Sequence, residues 1–281
     1  MTIAAYKRQW VLELGERIPE KAEAEAIVFR LMEARLGINK LAYLRNPDYR
    51  LSVLELERMT SDIKQLLLGM PLQYVLKYAD FDGLTLRVGP QVLIPRPETE
   101  ELLEMAFNHL PAPKRILDVG TGSGALALAA KNRFPQASVV AIDISAEALQ
   151  LAQENARHLG LDVTFQLIDF LSPSERNTLS NFDLILSNPP YIPEAESEMM
   201  EKQVLCFEPH QALFVPDDDP LIFYRALADF SNTHLLPNGQ IWMEIFPPLV
   251  TPLQALFAPF AGRCERHIDL SGKERFVSYQ R

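Results

Sequence analysis

From residue 115 onward, short apolar runs and helical stretches alternate, and this alternation narrows the possible folds more than any other feature. Residues 115–119, 138–142, 163–167, 182–187 and 240–245 have the length and β-branched or aliphatic content of buried strands, with helical patterns between them. Strands of this kind, each returning through a helix, build a parallel α/β sheet, because a parallel pair needs a crossover long enough to hold a helix. Two further runs, 263–269 and 275–279, are separated only by Leu270-Ser271-Gly272-Lys273-Glu274. That connection is too short for a helical crossover, so the two runs are expected as an antiparallel pair at one end of the sheet.

The first 70 residues read differently. Trp10, Val11 and Leu14, then Ala26, Ile27, Phe29, Leu31 and Met32, recur at near-helical spacing, and Pro19 fits a helix start. Ser52-Val53-Leu54-Glu55 matches a capping box ahead of Met59, Ile63, Leu66 and Leu67. A small helical domain ending near Gly69-Met70-Pro71 follows. The pattern changes to alternation over 84–94, with Gly89-Pro90 as a turn, which predicts a β-hairpin. The expected organisation is a helical domain over 1–75, a hairpin linker over 76–94 and an α/β domain over 95–281.

The first strand of the alternating region runs into Gly120-Thr121-Gly122-Ser123-Gly124 and then into helical Ala125-Leu126-Ala127-Leu128. Glycines at a strand-to-helix turn let a ligand approach the backbone closely. Asp143 ends the next strand, 23 residues after Gly120, where a carboxylate can accept from both hydroxyls of an adenosine ribose. Asp169-Phe170 ends the third, placed to bond an adenine amine and pack on the ring. Gly120-x-Gly122-x-x-Ala125 also satisfies the dinucleotide fingerprint, and Asp143 would serve an NAD ribose equally well, so a dehydrogenase competes at this point. Gly122-Ser123-Gly124 lacks the flanking pattern of a nucleophile elbow.

Asn188-Pro189-Pro190-Tyr191 follows the fourth strand. A planar amide or ring amino nitrogen is a poor nucleophile because its lone pair is delocalised, so a catalyst must hold its N–H groups and aim the lone pair. Asn188 supplies a side-chain carbonyl for this and Pro189 a main-chain carbonyl, while two prolines fix φ and leave no N–H to compete for either acceptor. Tyr191 offers a flat face for stacking. The tetrapeptide suits methyl transfer onto a planar nitrogen, although a rigid turn closing a strand would use the same residues.

With 281 residues, 48% of them hydrophobic, the chain can bury a substantial core. Its net charge of −10 is uneven: residues 1–90 hold 13 Lys/Arg and 12 Asp/Glu, and 91–281 hold 14 and 25. An acidic catalytic part argues against a phosphate-tracking nucleic-acid binder and favours a protein or small-molecule substrate. Lys7, Arg8 and Glu13 interrupt the N-terminal apolar residues, and no later stretch is long and apolar enough to span a bilayer, so neither a secretory leader nor a membrane partner is expected and the cytoplasm is the expected location. Cys206 and Cys264 form no CxxC pair and the five histidines have no ligand spacing, so no metal site is expected.

With these residues in place, nearly the whole chain resembles the release-factor glutamine methyltransferases, the HemK/PrmC-type family. The resemblance is carried by Gly69-Met70-Pro71-Leu72-Gln73-Tyr74, Phe81-Asp82-Gly83, Ile94-Pro95-Arg96-Pro97-Glu98-Thr99-Glu100, the glycine loop, the Asn-Pro-Pro-Tyr tetrapeptide, Phe207-Glu208-Pro209 through Ala212-Leu213, and Asp269-Leu270-Ser271-Gly272. It implies a seven-stranded, Rossmann-like class I methyltransferase sheet with an antiparallel C-terminal strand, S-adenosylmethionine as cofactor, and the Gly-Gly-Gln glutamine of class I peptide-chain release factors as acceptor. Gly120, Thr121, Gly122, Ser123, Gly124, Asp143, Asp169, Phe170 and Asn188 are then the expected cofactor contacts, and Asn188, Pro189, Pro190 and Tyr191 the catalytic set. The helical domain would grip the release factor, and a monomer is the simplest expectation. A ribosomal-protein glutamine methyltransferase, a nucleic-acid amino-methyltransferase and a non-catalytic adaptor are the alternatives. Arg96 could orient a loop carboxylate or meet the substrate. Glu98 and Glu100 suit a helix N-terminus better than a general base. Residues 207–220, with Asp217-Asp218-Asp219, either fold over the acceptor or form a solvated loop, and the solvated loop is the expectation. Lys77 stands where many relatives have glycine, and Phe246-Pro247-Pro248 departs from their usual Glu-Ile-Gly run, which puts the turns at these two places in doubt.

Overall fold

The computed structural model describes residues 1–18 and 20–281, so the helix start expected at Pro19 lies outside the described residues. The chain forms two compact units, Met1–Lys77 and Tyr78–Arg281.

The first unit is helical: α1 (Ile3–Gly15), α2 (Lys21–Leu36), α3 (Lys40–Arg45), α4 (Val53–Leu67) and α5 (Leu72–Leu76). Thr2 and Asn39 cap α1 and α3 through side-chain oxygens, and the Ser52/Glu55 capping box is formed at the start of α4. Ile3, Tyr6, Leu14, Val28, Leu31, Met59 and Ile63 are fully buried between the helices. Arg35 on α2 donates to Asp62 on α4 at 2.7 Å and to the Val75 carbonyl on α5 at 2.9 Å, tying three helices together. Lys77, just past α5, has φ 69°, a left-handed conformation that costs a side-chain-bearing residue roughly 1–2 kcal/mol. The turn expected to suffer from this lysine is nevertheless formed. Glycine would relieve the strain at some cost in unfolded-chain entropy, so Lys77→Gly should stabilise the protein by about 0.5–1 kcal/mol, read as a higher urea midpoint.

The second unit opens with a hairpin, β1 (Tyr78–Phe81) and β2 (Leu84–Arg87), registered Phe81 opposite Leu84. This corrects the expected hairpin, which lay one strand later around Gly89-Pro90. The turn is Asp82-Gly83, with φ 47° and 73°, the two positive values that a two-residue hairpin turn matching strand twist requires. Residues 91–94 form no strand, although Val92 and Ile94 are buried.

The remaining elements are α6 (Pro97–His109), β3 (Arg115–Val119), α7 (Ala125–Arg133), β4 (Ser138–Asp143), α8 (Ala146–Leu159), β5 (Thr164–Leu167), α9 (Pro173–Arg176), β6 (Phe182–Ser187), β7 (Ile192–Pro193), α10 (Lys202–Phe207), β8 (Phe214–Val215), α11 (Ile222–His234), β9 (Leu235–Glu244), α12 (Val250–Phe257), β10 (Arg263–Ile268) and β11 (Glu274–Gln280). Seven strands form one sheet in the order β10-β11-β9-β6-β3-β4-β5, with β11 antiparallel to both neighbours and the β9-β6-β3-β4-β5 pairs parallel. The expected seven-stranded sheet with an antiparallel C-terminal strand is thus observed.

Both faces of this sheet are covered. Leu117, Ile185, Ile241, Met243 and Val277 point into one core with Tyr224, Phe230 and Phe257, while Ile116, Leu184, Leu186, Trp242 and Phe276 point into the other with Leu102, Phe107 and Leu126. Successive residues alternate between two buried faces, which is why the strands read as continuous apolar runs. The strand order reverses at β3, whose neighbours are β4 on one side and β6 on the other. The crevice outside the carboxyl ends of strands at such a switch point is where open α/β sheets bind ligands. Among the described residues no helix is long and apolar enough to cross a membrane.

Candidate active site

At that switch point lies a cavity of about 470 Å³. Gly120, Thr121, Gly122 and Ser123 line it from the end of β3, Asp143 from β4, Asp169 and Phe170 from the segment after β5, and Asn188, Pro189 and Pro190 from the segment after β6. Four separate sequence regions therefore meet in one space of the size that holds a small organic ligand. Gly124 and Tyr191 are outside the lining.

The glycine loop is built for close approach. The Gly120 and Thr121 N–H groups both donate to the Ile142 carbonyl at 3.0 Å, pinning the loop to the neighbouring strand. Gly122 has φ 54° and open space where a Cβ would stand, so its backbone faces the cavity bare. Gly124 has a different use: at φ 86°, a Cβ there would sit 3.0 Å from Leu128 and 3.2 Å from Ala152, so this glycine lets α7 pack against α8.

Asp143 accepts from the Gly122 N–H and the Ser145 N–H, both at 2.9 Å. Two carboxylate oxygens offer about four lone-pair sites, which leaves capacity for two ligand hydroxyls. Burial raises its carboxyl above the ordinary range, against the pull of those N–H groups. Asp169 accepts from Leu171 N–H at 2.9 Å, and the Phe170 ring packs edge-on against Phe230 with centroids 5.3 Å apart. Such a ring is a fixed apolar wall.

At the other end of the cavity, Asn188 Nδ2 donates to Thr99 Oγ1 at 3.2 Å, and the Thr99 hydroxyl donates to Glu244 Oε2 at 2.9 Å. The Tyr191 hydroxyl donates to the second oxygen, Glu244 Oε1, at 3.0 Å, and its ring packs against the core on the α11 side. Burial, followed by the nearby Glu244 charge, holds the Tyr191 phenol far above its usual pKa, so it stays protonated.

The segment expected as a solvated loop over 207–220 is seated instead. Glu208 is buried and accepts from Arg96 at 2.5 Å and from the Ile94 N–H at 3.2 Å, and Leu213 and Val215 are buried where β7 pairs with β8. A carboxylate with a cationic and a main-chain donor and two buried apolar residues outweigh the acidic Asp217-Asp218-Asp219 run that suggested solvation. Arg96 thus orients a loop carboxylate. Pro95 and Arg96 line the cavity together with Pro209, Gln211 and Ala212. Glu98, near the start of α6, lies 3.9 Å from Arg275 on β11.

The chain is 38% identical over 280 residues to the release factor glutamine methyltransferase of Bacteroides thetaiotaomicron, with 99% of each covered, and 40% identical to that of Lactococcus lactis, covering 86% of this chain and 88% of the other. The chain belongs to the release factor glutamine methyltransferase family. Residues 8–76 match the model of the PrmC N-terminal domain, and residues 99–214 match that of the methyltransferase small domain. Among solved structures, a methyltransferase from Pyrococcus furiosus superposes with a TM-score of 0.52 at 17% identity, covering 79% of this chain and 98% of the other, which supports the methyltransferase fold. The dehydrogenase alternative is thereby removed, and the protein is an enzyme of the methyltransferase class.

Four residues of this family member's site were given no role in the sequence reading, although Thr99 stands in a run that carries the resemblance. Thr99 and Glu244 hold Asn188 and Tyr191. Asn155 on α8 accepts from Arg87 N–H at 2.7 Å and donates to the Ser123 carbonyl at 2.9 Å, joining the hairpin to the glycine loop. Asp118, fully buried on β3, accepts from the Thr121 hydroxyl at 2.6 Å and the Ala127 N–H at 3.1 Å, bracing the loop from below, while its Oδ1 has no partner among the described residues. Burial pushes the Asp118 carboxyl up to about 7, with Asp143 adding to the rise and the two donors opposing it. An unfolded aspartate releases its proton near pH 3.9, so between that pH and about 7 the folded chain holds the extra proton and stability falls as pH rises, by at most about 1.4 kcal/mol per unit. Asp118→Asn should flatten this slope, measured as urea midpoints of both proteins at about pH 5 and pH 6.

Proposed function

We propose that this enzyme transfers the methyl group of S-adenosylmethionine to the side-chain amide nitrogen of the glutamine in the Gly-Gly-Gln motif of class I peptide-chain release factors. The observation that carries the reading is the meeting, in one cavity, of a bare glycine loop and Asp143 with the Asn188-Pro189 acceptor pair. The names of relatives matched along most of the chain support the acceptor. The cofactor fits the residues present: Gly122 leaves room for close approach, Asp143 has unused acceptor capacity, and Phe170 offers a wall for a purine. When bound, S-adenosylmethionine supplies a methyl group already activated on a sulfonium.

The chain's own residues then have to position the acceptor. Asn188 Oδ1 and the Pro189 carbonyl accept the two amide hydrogens and turn the nitrogen lone pair toward the methyl donor. The nitrogen loses one proton to water as the new N–C bond replaces it. Tyr191, its hydroxyl committed to Glu244, holds the end of the turn and takes no part in the proton transfer. The helical domain expected over residues 1–75 grips the release factor, and the enzyme acts in the cytoplasm.

The test is incubation with methyl-labelled S-adenosylmethionine and unmodified release factor, beside a release factor with Gln→Ala in the Gly-Gly-Gln motif, followed by peptide mass spectrometry. Label on that glutamine alone supports the reading. A folded release factor that takes no label overturns it and turns attention to a ribosomal protein or nucleic acid.

A further inference from the structure

We infer that Glu244 sets the hydrogen-bond polarity of the acceptor site: acting through Thr99, it fixes which edge of the Asn188 amide faces the cavity, and so commits the site to acceptor groups that carry a hydrogen to donate, such as an amide N–H. The inference rests on the role given to Asn188 above and adds two positioning residues to it.

An ionised carboxylate can only accept hydrogen bonds. Glu244 Oε2 lies 2.9 Å from Thr99 Oγ1, so the single hydroxyl proton of Thr99 points at Glu244. Thr99 Oγ1 then has only lone pairs left for Asn188, 3.2 Å away. The group that meets it must be Nδ2–H; Oδ1 in that place would set two acceptors face to face. Asn188 Oδ1 is therefore turned to the cavity, where it can receive an N–H.

The relay is fixed at every joint. Glu244 is 2% exposed and Thr99 4%, so water is poorly placed to substitute for either. The other carboxylate oxygen receives the Tyr191 hydroxyl, and the Glu244 main-chain carbonyl receives the Tyr224 hydroxyl at 2.9 Å. One side chain thus anchors both ends of Asn188-Pro189-Pro190-Tyr191. A carbonyl or ionised oxygen would require a donor facing the cavity, which this polarity withholds; a group that brings its own hydrogen is admitted, and an amide or amine nitrogen with two of them can use both Asn188 Oδ1 and the Pro189 carbonyl.

The groups facing Glu244 are Thr99 and Glu98 from α6, Tyr191 from the tetrapeptide, Tyr224 from α11 and Arg275 from β11. Burial favours the neutral acid, as does Glu98, while Thr99, Tyr191 and Arg275 favour the carboxylate. A protonated Glu244 becomes a donor, which frees the Thr99 hydroxyl to point at Asn188 and reverse the amide. Wild-type kcat should therefore fall on the acid side, and Glu244→Gln should lack that limb.

The experiment compares kcat on release factor and cofactor affinity by calorimetry for wild type, Glu244→Gln, Thr99→Val and Thr99→Ser. Thr99→Val, which keeps shape and removes the relay, and Glu244→Gln should each lower kcat about 10- to 100-fold, as loss of a partner that orients a reacting group does, with cofactor affinity kept. Thr99→Ser should restore most of the loss. Wild-type kcat in Thr99→Val overturns the inference, and because that variant is near-isosteric a misfolded Glu244→Gln does not protect it. If wild type itself methylates no release factor, the proposed function has failed instead. The relay is then read without an acceptor, by exchange of the Asn188 side-chain amide protons in ¹⁵N spectra of the cofactor-free protein. Slow exchange in wild type and fast exchange in Thr99→Val supports it, and equal exchange overturns it.

Discussion

Asn188→Ala is expected to slow methyl transfer roughly a hundredfold or more, about 3 kcal/mol of transition-state stabilisation, as removal of one preorganised polar contact from an enclosed site does. The acceptor nitrogen carries a delocalised lone pair, so its barrier is set by how well both N–H groups are held while the lone pair turns. Deleting Oδ1 leaves the Pro189 carbonyl as a single point of attachment, about which the amide can rotate out of line. The cofactor should be held nearly as before, because the glycine loop, Asp143 and Phe170 reach the cavity from β3, β4 and the segment after β5, none of which leans on the Asn188 side chain. Single-turnover methylation and calorimetry on the same preparation separate the two effects. Normal turnover in Asn188→Ala would remove Asn188 from the chemistry, and with it the reading of the tetrapeptide.

The fold was legible because its strands are buried on both faces. Ile116-Leu117, Leu184-Ile185-Leu186 and Ile241-Trp242-Met243 each send neighbouring residues into opposite cores, and a run with no polar break shows itself without knowledge of its partners. The hairpin was displaced by one strand for the converse reason. Leu86, Val88, Val92 and Ile94 are all buried, so the alternation over 84–94 is real, but burial is not strand pairing, and within this stretch Leu84–Arg87 is the part that pairs as a strand. The Asp82-Gly83 pair was the stronger turn signal, one that Gly89-Pro90 masked.

The site divides in the same way. Residues that meet a ligand lie in contiguous motifs and can be picked out; those that aim them do not. Glu244 is a lone carboxylate at the end of an apolar strand, and its partner Thr99 is 145 residues away, so no period or spacing connects them. Its position was nevertheless a signal, since a carboxylate closing a buried strand must find donors or neutralise. Glu208 was hidden by composition, because the acidic residues after it suggested a solvated loop although its own oxygens are enclosed.

That carboxylate carries the second large effect: Glu208→Ala should destabilise the second unit by about 2 kcal/mol and weaken productive binding of the protein acceptor. Removing one partner of a fully buried ion pair costs about 3–5 kcal/mol; the Arg96 side chain is 33% exposed, so water screens part of the loss and the lower figure applies. The Ile94 N–H loses its acceptor as well, in a residue only 2% exposed. Because Glu208 ties the lining segment at Pro209-Gln211 to the one at Pro95-Arg96, its loss lets the two segments separate, raising KM for the release factor more than it lowers kcat. Glu208→Gln resolves the contributions, since an amide oxygen can still accept from Ile94 while the charge attraction to Arg96 is gone. Exchanging the pair as Arg96→Glu with Glu208→Arg should fail to rescue, because arginine offers Ile94 no acceptor. A swapped enzyme with wild-type KM would mean that charge pairing alone holds the two lining segments together and that the Ile94 hydrogen bond contributes nothing.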